Sequence, residues 1–388
     1  MAIKSYKGFD KNLRCRDFQY KIGGIYEMDG EIKLCNRGFH ACESPFDVFD
    51  YYTMIDSRFC EVEQDGNISK EDRGTKICSS KIKIKAELKL ADMINLGIEW
   101  LKEITLPEKI KTSIKDNSSG NNAKIGSSGY DAKIGSSGYD AQIGSSGNNA
   151  KIGSSGNNAK IGSSGNNAKI GSSGNNAQIG SSGYDAQIGS SGNNAKIGSS
   201  GNNAKIGSSG YYARIGSSGD DAQIGSSGDD AQIGSSGNNA KIGSSDNNAK
   251  IGSSGNNAKI GSSGNNAQIG SSGNNAQIGS SGYDAQIGSS GNNAKIGSSG
   301  NNAKIGSSGN NAKIDSTGKD CVIMCAGINS VAKASKGSWI TLSEWSYSEG
   351  KQRYIPICVK TEFVDGEKIK ADTYYSLKGG VFVEWIND

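Results

Sequence analysis

The sequence predicts a mainly β protein: a central parallel β-solenoid of about 18 residues per coil, flanked by an α+β N-terminal domain and a small β C-terminal cap. The first observation is an isoleucine at every ninth residue from Ile125 to Ile314, which gives 22 copies of A-(K/Q/R)-I-G-S-S-G-x-x. The second is composition: residues 117–316 hold 42 of the 57 Gly but no Trp, Phe, Pro or Cys. The predicted domains are therefore 1–116, 117–334 and 335–388.

Each nonapeptide is interpreted as one short strand and one corner. Within residues 123–125, the Ala and Ile side chains share one face and the Lys side chain points to the other. Gly126 and Gly129 are expected to supply positive φ or close backbone approach, while the Asn-Asn pair tolerates the left-handed conformation. Low-complexity Gly/Ser/Asn segments are usually flexible linkers, but a linker has no reason to keep Ile in register. Isoleucine is therefore expected to stack on isoleucine.

Two repeats per coil would give 11 coils with Ala, Ile and an inward Ser in the interior. A triangular coil of 27 residues, with three repeats each, is the alternative geometry.

The N-terminal segment shows helix and strand signals. A hairpin is predicted within Ile25–Leu34, and strands are predicted over Arg58–Gln64 and Ile77–Leu88. Ser44-Pro45 is interpreted as an N-cap with Pro at the first position of a short helix. A second, amphipathic helix is expected before Pro107, leading onto the first coil and covering its Ile125 end; its apolar residues are Met93, Leu96, Ile98, Trp100, Leu101 and Ile104.

After Ile314 the repeat decays, and bulkier residues are expected to plug the last coil. Strands are predicted over Ser338–Trp345, Tyr354–Glu362 and Thr373–Trp385, with Gly-containing turns between them. This β cap could also pair with another chain.

Several protein classes are excluded by pattern. No apolar run is long enough for a membrane-spanning helix, and the N-terminus lacks the apolar region of a secretion signal. The eight cysteines are then expected to stay reduced, which predicts a cytoplasmic location. A net charge of +4 does not by itself indicate a nucleic-acid partner.

The exposed position between Ala and Ile is Lys 13 times, Gln eight times and Arg once. Alternate repeats share a face, so one face is expected to form a basic stripe that could hold a polyanionic or nucleotide ligand. The alternative is that these residues keep the sheets soluble, because no aromatic platform is expected beside them. The candidate binding residues are Lys133, Lys151, Lys169, Lys205, Lys241, Lys259, Lys295 and Lys313, with Arg214 on the opposite face.

No metal or cofactor is predicted. Most corners are Asn-Asn, so they lack the carboxylates of calcium-binding nonapeptide solenoids. The only histidine, His40, lies between Cys35 and Cys42, and Cys15 or Cys60 could complete four ligands. This spacing matches no common zinc module, and a packed His beside buried Cys is favoured.

No catalytic residue is predicted either. The pair Glu61-x-Glu63 resembles an ADP-ribosyltransferase motif, but two acids on a strand most often face solvent. No Gly-x-Ser-x-Gly elbow accompanies His40, and the Gly-Ser corners lack the ending of a P-loop.

Three segments carry a family resemblance: YKGFDKNLRCRDFQY (Tyr6–Tyr20), GFHACESPFDVFDYY (Gly38–Tyr52) and DGEKIKADTYYSLKGGVFVEW (Asp365–Trp385). With the repeats between them, they resemble a domain-of-unknown-function family of bacteriophages and prophages of Firmicutes and related bacteria. The resemblance implies a phage-derived protein that acts in the host cell or on the particle, and it supplies no catalytic residues.

The resulting expectation is a non-enzymatic binding protein whose solenoid presents a repeated surface to a host macromolecule or nucleotide ligand, with counteraction of host defence as its expected role. One alternative is a structural or adhesive virion component. Another is an enzyme in the N-terminal domain with the solenoid as spacer. Self-association through the terminal domains is also an expectation.

Overall fold

The computed structural model describes residues 2–54, 57–71, 74–105, 116–118 and 120–386. It confirms a mainly β fold with a parallel β-solenoid of about 12 turns and about 18 residues per coil over residues 124–342. The chain forms two compact units, Met1–Ile197 with Ala204–Gly210 and Gly225–Ser227, and Gly198–Asn203 with Tyr211–Ile224 and Gly228–Asp388. The three domains proposed from the sequence stay a prediction. None of the helices in the described ranges is long and apolar enough to cross a membrane.

The first unit begins with a small antiparallel sheet. Its strands β1, β5, β7 and β6 pair in a closed circuit, because β6 and β7 also pair with each other, and β4 adds to β7. The N-terminal strands are β1 (Ile3–Phe9), β2 (Arg14–Cys15), β3 (Phe18–Gln19), β4 (Ile25–Glu27), β5 (Phe39–Cys42), β6 (Arg58–Lys70) and β7 (Lys76–Leu88). Phe9, Val62, Ile82 and Ile84 form part of one buried cluster. The predicted strands over Arg58–Gln64 and Ile77–Leu88 are confirmed.

The hairpin predicted within Ile25–Leu34 is wrong. Its first half, β4, pairs with Lys81–Lys83 of β7 instead of with the residues that follow. The second half turns back on itself, where Lys33 N–H donates to the Arg37 carbonyl and the Arg37 guanidinium donates to the Asp29 carbonyl. Local turn residues are present, but a long neighbouring strand outcompetes the local partner.

The solenoid strands alternate between two parallel sheets. The even-numbered strands are β8 (Asp116–Ser118), β10 (Lys133–Ser136), β12 (Lys151–Ser154), β14 (Lys169–Ser172), β16 (Gln187–Ser190), β18 (Lys205–Ser208), β20 (Gln223–Ser226), β22 (Lys241–Ser244), β24 (Lys259–Ser262), β26 (Gln277–Ser280), β28 (Lys295–Ser298), β30 (Lys313–Ser316) and β32 (Val331–Ala334). The odd-numbered strands are β9 (Lys124–Ser127), β11 (Gln142–Ser145), β13 (Lys160–Ser163), β15 (Gln178–Ser181), β17 (Lys196–Ser199), β19 (Arg214–Ser217), β21 (Gln232–Ser235), β23 (Lys250–Ser253), β25 (Gln268–Ser271), β27 (Gln286–Ser289), β29 (Lys304–Ser307) and β31 (Val322–Cys325).

Isoleucine stacks on isoleucine in both units. Ile152 pairs in register with Ile170, and Ile233 pairs with Ile251, each 18 residues apart. A triangular coil would pair residues 27 apart, so the alternative geometry is wrong. Ala and Ile of the repeats are buried, and so is the first Ser, as the alternation predicts. The column of in-register Ile side chains is therefore the apolar core of the solenoid.

Two residue types shape each corner. The second x residue has positive φ, as at Asn257 with φ 58° and Tyr212 with φ 59°. The last Gly of the motif, which is Asp246 in one repeat, packs against the coil before it: a Cβ on Gly273 would lie 2.0 Å from the Gly255 carbonyl oxygen. The structure gives close approach to the last Gly of the motif and positive φ mostly to Asn or Asp, which tolerate it best among non-Gly types. The expectation is wrong for Gly126, which has neither positive φ nor a neighbour within 4 Å of a Cβ built on it.

Two of the helices of the described ranges lie in the first unit, and a third, the short 3-10 helix Glu349–Lys351, lies in the second unit between Ser348 and Arg353. A short 3-10 helix, Phe46–Asp50, confirms the predicted short helix, but Pro45 is its N-cap and no side chain caps it. The second helix, α1 (Leu90–Thr105), buries Met93 and Ile98 as predicted, while the Ile104 side chain lies outside the described residues.

Helix α1 lies against the outward side of the even-numbered strands, so its predicted position over the Ile125 end is wrong. A Cβ on Gly189 would lie 2.9 Å from Leu101, and a Cβ on Gly225 would lie 2.8 Å from Ile94. The apolar side chains of the helix can pack closely against these strands because the Gly residues there have no side chains.

In the second unit the coils continue beyond the last repeat. β31 and β32 pair in register with β29 and β30, so Val322–Cys325 and Val331–Ala334 extend the ladder instead of plugging it. β33 (Trp339–Ser348) joins β31 and then forms a hairpin with β34 (Arg353–Phe363). β35 (Tyr375–Lys378) and β36 (Val381–Glu384) form the last hairpin. The predicted C-terminal strands are confirmed.

Candidate functional site

The outward side of each solenoid strand carries one long polar residue and one Gly. Because the strands are parallel and in register, Lys241 stands directly beside Lys259, and Lys295 stands beside Lys313. Neighbouring strands lie about 4.8 Å apart, which brings these ammonium groups into columns of like charge. The eight lysines of the predicted stripe lie on even-numbered strands and Arg214 lies on β19, while their role in binding stays a prediction.

Two of the predicted stripe residues contact the N-terminal part of the first unit. The Lys205 ammonium forms ion pairs with Asp47 at 3.0 Å and Asp50 at 2.7 Å, and its side chain is only 12% exposed. Burial disfavours its charged form, yet the two carboxylates hold the pKa of Lys205 above its ordinary value. Lys169 lies 5.0 Å from the Trp100 ring, and burial lowers its pKa. Neither ammonium faces open solvent.

In the second unit, Lys313 also has a partner. Its ammonium lies 4.2 Å from the Tyr374 ring centre and 4.6 Å from that of Trp385, which is a cation–π arrangement. With Trp100 beside Lys169, aromatic rings do lie next to the stripe, contrary to the sequence-based expectation. The signal was missed because these rings come from outside the repeats.

Five stripe lysines stay outward-facing without such partners. Among the described residues, no ion pair includes Lys133, Lys151, Lys241, Lys259 or Lys295. We call Lys241, Lys259 and Lys295 the open lysine column; they lie on one sheet of the second unit, with Gln277 between Lys259 and Lys295.

The N-terminal candidates for chemistry have ordinary partners. Glu61 pairs with Lys4 at 2.9 Å and Glu63 with Lys85 at 2.8 Å, and the hydrogen bond from Lys85 lowers the pKa of Glu63. Both carboxylates on β6 are thus held in ion pairs with lysine side chains. Across the described ranges, no three His, Cys, Asp or Glu side chains come together as metal ligands would.

His40 instead takes part in the wall of a cleft. Its Nε2 accepts a hydrogen bond from the Cys35 backbone N–H at 2.9 Å, so Nε2 carries no proton. Burial and the neighbouring Lys7 lower the pKa of His40, which keeps the imidazole neutral.

The cleft encloses about 420 Å³ within the first unit. Lys7, from β1, has its ammonium 2.9 Å from the His40 carbonyl oxygen and 3.5 Å from the Cys15 sulfur. The Cys15 sulfur is in turn 3.0 Å from the Tyr52 hydroxyl. At the rim, Lys76 lies 3.4 Å from the Cys35 sulfur. Sequence reasoning missed Lys7.

Residues 3–96 match the model of a domain of unknown function, DUF7666. Comparisons with curated proteins and with solved structures find no match. The matched segment contains every residue that lines the cleft and stops before the repeats, so the N-terminal part of the chain is similar to an uncharacterised family. The similarity assigns no activity to the cleft or to the solenoid.

Proposed function

We propose that this is a non-enzymatic binding protein whose solenoid presents the open lysine column to a polyanionic partner, a host macromolecule or nucleotide-containing ligand. The observation that carries the proposal is the register: Lys241 and Lys259 are forced side by side, and no described ion pair relieves their repulsion. Like charges directly opposite on neighbouring strands are destabilising. A polyanion would remove that repulsion and release its own condensed counterions.

One lysine at this repeat position already contacts acids within the chain, which supports the proposal. Lys205 occupies the same place in its repeat as Lys241 and Lys259, and it binds two carboxylates, Asp47 and Asp50. The side chain can therefore leave the sheet surface and reach an acid without any change in the strand. We infer that lysines in the open lysine column make equivalent contacts with a partner.

The test replaces Lys241, Lys259 and Lys295 with Gln together. Gln fills the same position in eight repeats, so the fold should tolerate the change. Binding of labelled single-stranded DNA is measured across salt concentrations, and loss of three phosphate contacts should lower the salt slope by about 2.

The matched control changes Lys160, Lys250 and Lys304 of the odd-numbered strands to Gln, which removes the same charge. It should leave the slope nearly unchanged. Equal effects of the two triple variants would mean that net charge alone drives binding, and an unchanged slope in both would refute the proposal.

The proposal also includes the origin of the protein and the place where it acts. The resemblance of the two ends to phage and prophage proteins supports a phage-derived protein that acts in the cytoplasm of a bacterial host, where capture of a host macromolecule or nucleotide would counteract defence. Co-purification with phage particles after fractionation would instead indicate a virion component. Self-association is also proposed, because β34 ends its sheet with Ile357 and Val359 exposed.

A further inference from the structure

We propose that the N-terminal cleft binds a small phosphorylated molecule that carries a flat ring, of the size of a nucleoside monophosphate, with the Lys7 ammonium as its buried anion contact. This site is separate from the open lysine column and does not depend on it.

The argument starts from Lys7, whose residue surface is only 6% exposed. Buried ammonium groups are normally paired with a carboxylate. The Lys7 ammonium lies near the Phe9 and Tyr52 rings, at 5.5 Å and 5.9 Å from their centres, and no ion pair within the described ranges includes it. Its hydrogen bonds go to a carbonyl oxygen and a sulfur, which use two of its three N–H donors, so one donor is left for a ligand in the cleft that Lys7 lines. Burial lowers the pKa of Lys7, which an anionic ligand would reverse.

The charge of the wall points to an anion. Three cationic residues, Lys7, Arg16 and Lys76, line the cleft, and none of the described residues that line it is Asp or Glu. Lys76 is firmly protonated, because its hydrogen bond with Tyr51 raises its pKa. A concave site lined by one sign of charge attracts the opposite sign, and ammonium and guanidinium groups are the usual phosphate contacts.

The aromatic residues point to a ring. Tyr6, Tyr20, Tyr51 and Tyr52 all line the cleft. Burial raises the pKa of Tyr20 and Tyr52, so both hydroxyls are neutral and add no negative charge beside Lys7. Aromatic faces stack on flat rings, and the cleft volume of about 420 Å³ falls within the range of small-molecule sites, about 300–1,000 Å³. Of these tyrosines, Tyr51 is 53% exposed, with the Lys76 ammonium 4.4 Å from its ring centre, whereas Tyr6 and Tyr20 are each 6% exposed. Tyr51 is therefore an aromatic surface that a ligand ring could reach and that inorganic phosphate alone would not use.

Isothermal titration calorimetry of the full chain tests this with three probes: adenosine monophosphate, inorganic phosphate and adenosine. The monophosphate should bind most tightly, phosphate more weakly and adenosine most weakly. Lys7→Met keeps the length of the side chain and removes the charge, and it should weaken binding of the monophosphate about 10- to 100-fold. Lys4→Met is the matched control, because Lys4 lies on the same strand and pairs with Glu61 outside the cleft.

A second variant, Lys76→Gln at the rim, should weaken binding less than Lys7→Met. Because Lys76 lies at the rim, this variant still tests the site if the buried Lys7→Met variant fails to fold. Two results would overturn the proposal: no heat from either phosphate-containing probe at millimolar concentration, or equal affinity of Lys7→Met and wild type. The triple Gln variant of the open lysine column should bind adenosine monophosphate like wild type, so the two proposals fail independently.

Discussion

A ladder of asparagine side chains runs along each corner of the solenoid, and tyrosine interrupts it. The Oδ1 of Asn265 accepts the backbone N–H of Tyr283 in the next coil at 3.0 Å. The Oδ1 of Asn301 likewise accepts the N–H of Lys319 at 2.8 Å. Tyr283 has no side-chain acceptor at that place, and within the described ranges the Asn301 N–H has no side-chain partner. Changing Tyr283 to Asn should therefore complete the ladder.

The expected gain in stability of this corner is that of one added hydrogen bond at an exposed position. A net intramolecular hydrogen bond contributes about 0.5–1.5 kcal/mol, and exposure to water puts this one near about 1 kcal/mol. Little apolar burial is lost, because Tyr283 is already 55% exposed. Asn also stands at the corresponding corner of the neighbouring coils, where the backbone conformation suits it.

Amide-resolved hydrogen exchange by NMR is the direct assay. In Tyr283→Asn, the Asn301 amide should exchange about fivefold more slowly, if opening of this corner costs about 1 kcal/mol more. Tyr283→Ala is the control, since it removes the ring without adding an acceptor. Equal exchange rates of the Asn301 amide in the two variants would refute the ladder.

Two further predictions concern the solenoid interior. Ile215 is 3% exposed and in register with Ile233, so Ile215→Asp should lower the free energy of unfolding by about 4 kcal/mol or more, measured by urea denaturation. The control Arg214→Asp, one residue away and outward-facing, should lower it far less. Equal losses in the two variants would contradict the stacked core. Burial raises the pKa of Cys325 to about 12 from an ordinary 9.0, so the unfolded thiol ionises first and stability falls as pH rises from about 9 to 12, by up to about 1.4 kcal/mol per pH unit. Cys325→Ser should remove that part of the slope, and a difference between wild type and variant that does not change between pH 8 and pH 10.5 would argue against it.

The solenoid could be predicted because its information is local and repeated. An Ile every nine residues fixes strand, face and coil together, and the pairing of residues 18 apart follows once alternate repeats share a sheet. The conformation of each corner residue was harder to predict, because Gly and Asn both permit positive φ. The preceding coil separates the two roles: a Cβ at Gly273 would lie 2.0 Å from the Gly255 carbonyl oxygen, which favours Gly at this position in every repeat except the one with Asp246. Asn or Asp then takes the left-handed position in most repeats.

The cleft could not be assembled from sequence, because its residues come from separate strands and loops. Lys7, Cys15 and His40 meet only through the pairing of β1 with β5 and the loop after β1. One signal was available: Lys7 falls between Ser5 and Phe9 in the inward alternation of β1, where a cation is unexpected.

Identical repeats end up with different roles because of what docks on them. The Lys position meets carboxylates at Lys205, aromatic rings at Lys313 and solvent at Lys259. The repeat supplies the same strand each time, so the partner side decides which lysines stay available. Removing 18 residues from the repeats would keep every later residue on its own sheet, whereas removing nine would move each later strand to the other sheet. Removal of whole coils would therefore keep the open lysine column on the sheet of the even-numbered strands.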